Sequence, residues 1–501
     1  MGIINRFAIN RICNSTPARP RPFSLWSEAE DIVSDYTSWP TLTDREFSNR
    51  HLPPADLSYV SVLPEDTQYQ EGPPPEFGDV TGLFKRGQQI DSERSTVLFA
   101  LFAQWFTDSI LRINAIDRRK NTSNHQVDLC QIYGLKESTT RILRTEQIGK
   151  LKSQIIAGEE YPVYLYDSAG QPKDEFKQLP YVELLDEFIW KNFDESRKAK
   201  YYATGLERGN STIGYTAIST LFLREHNRIC DELYKKNPRW NDERLFQTAR
   251  NISIVILLKL VVEDYINHIS STRLINLKLE PGFAENKSWY RTNWVALEFD
   301  MLYRWHSLVP EAINIDGTEY DHTNYRVNNA LLESAGIGAA IDALSTQPAG
   351  KVGLLNTPEF LLGSEYITLS MGRRFRLRSF NEYRERFNLK PIRSFSKLTD
   401  NDELAQRLAD LYGSIDNLEL YVGLFAESAS GKELFGDLMT RMVAVDALSQ
   451  IFTNPLLSKY VYNESTFSKY GLDIIEETES IQDLVNRNVK DGSSFKASLS
   501  L

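Results

Sequence analysis

Cysteine and histidine are both scarce in this chain. Its 501 residues include three cysteines, Cys13, Cys130 and Cys230, and six histidines. An odd, sparse set of cysteines with no CxxC spacing excludes a disulfide framework and fits a reducing, cytoplasmic setting. Basic residues are in deficit: 57 Lys and Arg stand against 68 Asp and Glu, for a net charge of −11. With a pI near 5.3, the chain lacks the basic surface that a nucleic-acid partner needs. Long apolar runs are missing too. The most apolar stretch, 252–262, is interrupted by Lys259 and followed by Glu263 and Asp264. A membrane span needs ~20 apolar residues, so this stretch is expected to be a buried helix. Residues 1–14 hold no apolar core long enough for a secretory signal. Arg6 stands where a myristoylation motif needs Ser or Thr. Internal repeats and low-complexity linkers are absent as well.

What remains is ordinary globular material, 41% hydrophobic and 25% charged. Residues 1–34 read as a basic N-terminal arm. Ile3, Ile4, Phe7, Ala8 and Ile12 recur there at helical spacing, with Arg6 and Arg11 between them. Two readings follow: an interfacial helix lying on a membrane surface, or a helix packed on the main domain. The short stripe favours the second. Pro17, Pro20 and Pro22 end this helix. A loop-rich, proline-containing region runs to about residue 90. Beyond it, 95–113, 213–236, 242–269, 293–308 and 402–411 carry apolar residues at three and four spacing, which predicts helices. Strand alternation is nearly absent, with one hairpin expected near 313–320, turning at Asp316-Gly317. The fold class is therefore mainly α: one large helical domain over 35–501.

The chemistry concentrates in Leu302-Tyr303-Arg304-Trp305-His306. A phenol and an imidazole three residues apart on one helix would share a face. The imidazole can ligate a metal while the phenol sits within electron-transfer reach. That pairing reads as a haem site with a radical-forming tyrosine. A lone histidine is more often surface or structural, but here an apolar segment, the adjoining Trp305 and the tyrosine one turn back raise the case for His306.

These residues lie in Glu298-Phe299-Asp300-Met301-Leu302-Tyr303-Arg304-Trp305-His306, which resembles the proximal-histidine helix of the cyclooxygenases and related fatty-acid dioxygenases of the animal haem peroxidase superfamily. Other matches come in the family's order. Phe102-Ala103-Gln104-Trp105-Phe106-Thr107 resembles the distal haem helix, and Val127 to Gly134 the segment after it. Leu223-Arg224-Glu225-His226-Asn227-Arg228, Glu263-Asp264-Tyr265, Phe380-Asn381-Glu382-Tyr383-Arg384 and Tyr412 to Asp416 complete the set. The resemblance runs from about Asp35 to the C-terminus. It omits the family's growth-factor-like module and most of its membrane-binding region.

The resemblance implies haem b as cofactor, with His306 as proximal iron ligand, Trp305 beside it, and Tyr421 supporting the histidine through water. Tyr303 would be the radical tyrosine, Tyr265 its hydrogen-bonding neighbour and Gln104 the distal glutamine. A channel for a fatty acid would be lined by Tyr265, Ile266, Ile269, Ser270, Thr272, Val443 and Ala447. There are departures. The family's distal acid–base histidine falls at Asp108, with Arg208 as a candidate distal arginine. An aspartate is usually ionised, though burial can raise its pKa, so peroxidase turnover is in doubt. The carboxylate clamp of the cyclooxygenases falls at Ile12 and Thr272, with Arg11 and Arg273 next door as substitutes, and the channel serine falls at Ala447. Prostaglandin chemistry is therefore not expected. Arg224 to Asn227 are expected to be a packing cluster. Asp128 and Asn124 sit where the wider superfamily binds calcium, but Ser109 and Cys130 make poor oxygen ligands, so no calcium is expected. The function implied is a haem-dependent dioxygenase that converts an unsaturated fatty acid to a hydroperoxide, using O2. The alternatives are a peroxidase or peroxygenase using peroxide and Asp108, and a haem-binding protein with weak turnover. Peripheral membrane contact through the N-terminal arm is compatible with each.

Overall fold

The computed structural model describes the chain apart from residues 15–25, 27–35, 56–76, 271–275, 291–292 and 432. The prolines after the N-terminal helix, the boundary near residue 34, and Thr272 and Arg273 lie outside the described residues.

Nine helices frame the site and are numbered in chain order: α1 (Ile3–Cys13), α2 (Val97–Thr107), α3 (Ile213–Lys236), α4 (Asp242–Leu260), α5 (Leu297–Leu302), α6 (Leu362–Arg374), α7 (Leu420–Ala426), α8 (Asp437–Phe452) and α9 (Ile481–Asn488). Among the described residues, six short strands form three separate antiparallel pairs: β1 (Asp91–Thr96) with β6 (Pro348–Gly350), β2 (Ser153–Ile156) with β3 (Glu159–Pro162), and β4 (Ala312–Ile315) with β5 (Thr318–Asp321). The fold is mainly α, as expected.

The centre is α3, with α2 and α4 packed against it. Each begins where a side chain meets the free amides of a first turn. Thr96 Oγ1 accepts from Phe99 N, Thr212 Oγ1 from Tyr215 N, and Asn241 Oδ1 from Arg244 N. Asp242 and Glu243 then complement the α4 dipole at its start, and Lys235 and Lys236 the α3 dipole at its end. The apolar stretch 252–262 is buried core, as its interrupted pattern implied. After Leu260 the helix does not simply continue to 269. It widens into a π turn over Val261–Ile266, followed by Asn267–Ile269.

The 95–113 segment also differs from expectation. Ser95 lies in β1, and the helix occupies only Val97–Thr107. Pairing with β6 claims the first residues before the helix can. The hairpin is where the sequence put it: Asp316 and Gly317 both take positive φ, 50° and 81°, as a two-residue primed turn requires.

Helix α1 packs on α8 and buries Ile9 and Cys13. Its other face leaves Ile3, Ile4 and Phe7 exposed, at 87%, 70% and 64%, and Arg6 pairs with Glu280 at 2.6 Å.

Strand β6 passes directly beneath the turn that carries His306. A Cβ on Gly350 would stand 2.0 Å from the Ser307 carbonyl oxygen. Since that contact is backbone, something must shift. Gly350→Ala is expected to destabilise the fold by ~1–3 kcal/mol and to displace the His306 turn. A thermal melt and a titration with haem will register both.

Candidate haem site

Tyr303 and His306 are not on one helix. Helix α5 stops at Leu302, Tyr303 is its C-cap, Trp305 takes ψ 55°, and His306 opens a single 3₁₀ turn, His306–Leu308. Tertiary contacts override the helical pattern of 293–308. Arg304 folds back to Asp300 at 2.9 Å and reaches Thr368 Oγ1 at 3.0 Å. Arg86 donates through Nη2 to the carbonyls of Ser307 and Val309 at 3.1 and 3.0 Å. Those bonds hold the chain open where it would otherwise coil.

His306 Nδ1 donates to Glu365 Oε1 at 3.0 Å. The same oxygen accepts from Thr357 Oγ1 at 2.9 Å, and Oε2 accepts from the Tyr421 hydroxyl at 2.5 Å. The expected link from Tyr421 to the histidine therefore runs through a carboxylate. Nε2 of His306 has no hydrogen-bond partner among the described residues, and the imidazole is 21% exposed. An imidazole held by its Nδ1–H presents a lone pair at Nε2, which is what an axial ligand needs.

Above this turn the aromatic rings close together. Tyr303 stacks on Trp305 at 4.5 Å, and Trp305 meets Phe435 at 4.5 Å and Phe99 at 6.3 Å. Tyr265, on the π turn, lies 5.3 to 5.7 Å from Phe99, Phe106 and Phe102. The Tyr303 and Tyr265 hydroxyls and the Trp305 indole N–H are all buried. The two phenols lie close enough to perturb one another. The two hydroxyls face each other, as the resemblance implied, and neither oxygen has a further partner among the described residues. Burial pushes both phenol pKa values up. A buried unpaired donor costs ~1–3 kcal/mol, and an apolar chamber that holds the Trp305 N–H with no partner beside two phenols that face only each other is built for something other than stability.

Gln104 is the one exposed residue of α2. Asp108, at the helix's C-cap, is buried, and both its oxygens are occupied. Arg208 Nη1 donates to Oδ1 at 3.1 Å and the Tyr215 hydroxyl to Oδ2 at 3.0 Å. Burial raises the Asp108 pKa, and Arg208 and Arg112 oppose that rise.

Among the channel candidates, Ile266, Ile269, Val443 and Ala447 are buried and Ser270 is partly so. Ile12 is half-buried and Arg11 exposed. Helix α8, which carries Val443 and Ala447, packs against α5. It also brings in a group that sequence reasoning missed. Asp446 pairs with His51 Nε2 at 2.8 Å in the interior and helps raise the Tyr303 pKa. Glu365 was missed as well. Its only signal is an acid on the buried 365, 368, 369 face of α6.

The Arg224–Asn227 cluster is structural. Arg224 binds Glu159 at 2.8 Å, and Glu225 takes Arg228, Arg487 and Asn488. His226 sits between the Tyr133 hydroxyl and the Gly149 carbonyl, at 2.8 and 2.9 Å. Asp128 is engaged by Asn124 Nδ2 at 2.6 Å and by the Cys130 amide at 2.9 Å.

A family model for animal haem peroxidases matches residues 111–499. The chain belongs to the animal haem peroxidase family. It is 34% identical to prostaglandin G/H synthase 2 of Equus caballus over 474 residues, 92% of this chain and 74% of that one. It is 35% identical to prostaglandin G/H synthase 1 of Rattus norvegicus over 467 residues, again 92% and 74%. Among solved structures, fatty acid alpha-dioxygenase of Oryza sativa superposes with a TM-score of 0.70 at 18% identity, covering 89% of this chain and 82% of that one. Peroxidase A of Dictyostelium discoideum gives 0.69 at 17%, covering 96% and 99%. This haem peroxidase family member is an oxidoreductase, and family membership implies haem binding. The free Nε2 of His306, the anchored Nδ1 and the apolar chamber beside them fit such a group.

In this peroxidase-family chain, burial lowers the pKa of His125, His226 and His268 to about 4, against ~6.5 in an unfolded chain. Each is neutral when folded, so its contribution is complete above pH ~6.5 and is lost as pH falls towards 4. The melting temperature is expected to drop across that window. His226→Gln, being unable to titrate there, should flatten the drop in a pH series of melts.

Proposed function

We propose that this protein is a haem-dependent dioxygenase that converts an unsaturated fatty acid to a hydroperoxide through a radical on Tyr303. The observation that carries the reading is the buried Tyr303 hydroxyl, which faces only Tyr265 among the described polar groups, set in an aromatic chamber three residues from a histidine whose Nε2 is free. The prostaglandin synthases and the fatty acid alpha-dioxygenase among its likenesses support a fatty acid as substrate.

His306 would hold haem b. Haem held there would supply a one-electron oxidant, at the expense of a peroxide. Tyr303 is the group oxidised: it gives up one electron and its phenolic proton and becomes a neutral phenoxyl radical. That oxygen takes a hydrogen atom from a bis-allylic or α carbon of the substrate, restoring the phenol. O2 adds to the carbon radical. The resulting peroxyl takes the hydrogen atom back, leaving a hydroperoxide and the radical ready for another turn. The apolar surround excludes water and keeps the phenol without a competing partner. Ile266, Ile269, Val443 and Ala447 supply apolar wall. Tyr303→Phe is expected to retain the Soret band and lose fatty-acid oxygenation, followed as oxygen uptake. Normal uptake by that variant would refute the radical reading. His306→Ala is expected to lose the Soret band.

Asp108 fits a structural role better than that of a proton shuttle, since Arg208 and Tyr215 occupy both its oxygens. Loss of a true acid–base group costs ~10²–10⁴-fold. Asp108→Asn is therefore expected to change peroxide turnover with a reducing dye by less than about tenfold. A larger loss would favour the peroxidase reading.

The same substrate class suits the exposed Ile3, Ile4 and Phe7 face of α1, which we propose rests on a lipid surface. Phe7→Ser is expected to weaken co-sedimentation with phospholipid vesicles.

A further inference from the structure

Glu365 is an acid that the reaction above does not use. It is 1% exposed, and among the described residues no lysine or arginine pairs with it. A carboxylate in such a place is costly unless donors fill its lone pairs. Three do so, and each comes from a different segment: the His306 imidazole, the Thr357 hydroxyl and the Tyr421 phenol. Helices α6 and α7, which carry Glu365 and Tyr421, pack on each other. The carboxylate is therefore fixed from both sides and cannot swing away from the imidazole without breaking two other bonds.

We propose that Glu365 is a positioning residue that locks His306 in the Nδ1–H tautomer and makes its Nε2 electron-rich, with Tyr421 setting how strongly. The inference rests on His306 being the haem ligand. A hydrogen bond from Nδ1–H to an anion raises the basicity of the ligating nitrogen. A more basic axial nitrogen favours ferric over ferrous iron and so lowers the midpoint potential. The Tyr421 hydroxyl works against this. Its short bond draws negative charge towards Oε2 and away from the oxygen that faces the imidazole.

The opposed effects provide the test, made on the haem-loaded full chain. Glu365→Gln keeps an acceptor for Nδ1–H and removes the charge. It should retain haem, lower the ferrous iron–histidine stretching frequency in resonance Raman spectra, and raise the ferric/ferrous midpoint potential. Tyr421→Phe leaves the carboxylate with one donor fewer and should move both quantities the other way. Glu365→Leu removes the acceptor altogether and should weaken haem retention by ~10–100-fold, with partial rescue in Glu365→Asp. Native stretch and potential in both Glu365→Gln and Tyr421→Phe, or shifts of the same sign, would overturn the proposal even if Glu365→Leu fails to fold. His306→Ala separates this failure from that of the ligand assignment. If it keeps the native Soret band, the assignment falls. If it loses that band while Glu365→Gln and Tyr421→Phe stay native, only the role of Glu365 falls.

Discussion

The bond between the His306 imidazole and the buried Glu365 carboxylate is the contact on which the rest of the site depends. It lets one acidic side chain tie together a loop, a helix and an irregular turn. The carboxylate is tolerable in the interior because each donor that satisfies it is itself anchored. Tyr421 is packed against Phe84 and Phe425, and the His306 turn is latched by Arg86. Without the carboxylate the imidazole could rotate. Without the latch, helix α5 could run on through residue 306 and carry the imidazole round with it.

Most of the segments that resemble the family are joined in pairs by interior hydrogen bonds. Gln131 donates to the Trp105 carbonyl, and the Tyr133 hydroxyl meets His226. The Tyr383 hydroxyl donates to Glu298, and Asn381 to Asp416. Each pair links stretches far apart in the chain. Their recognisable residues are therefore mostly the fasteners of the scaffold around Tyr303 and His306, not participants in chemistry. This explains why a chain can keep them all and still carry Asp108 where the distal base stands in the resemblance.

Helices that rely on their own caps and stripes were legible in the sequence. The 213–236 segment matches to the residue, and 402–411 is extended by one, to Tyr412. The hairpin at Asp316-Gly317 was equally plain, because turn chemistry is local. The apolar pattern misleads at 95–113 and 293–308, where strand pairing and arginine latches from distant segments decide the backbone. For the same reason Tyr303 and His306 do not share one helix. Glu365 and Asp446 stayed hidden because an acid on a buried face carries no mark of its partner; His306 is 59 positions from Glu365, and His51 is 395 from Asp446.

The π turn at Val261–Ile266 fits one more residue into α4's path than a regular helix would hold. That surplus residue sets the direction of everything after it. Each residue in an α-helix advances the direction of its side chain by about 100°. Closing that turn into regular α-helix with every residue kept would turn Tyr265 out of the Phe99, Phe102 and Phe106 cage by that angle. Ile266 and Ile269 would turn with it. The widened turn thus keeps the aromatic chamber in register, and removing its surplus residue would restore a regular helix with Tyr265, Ile266 and Ile269 still facing as they do.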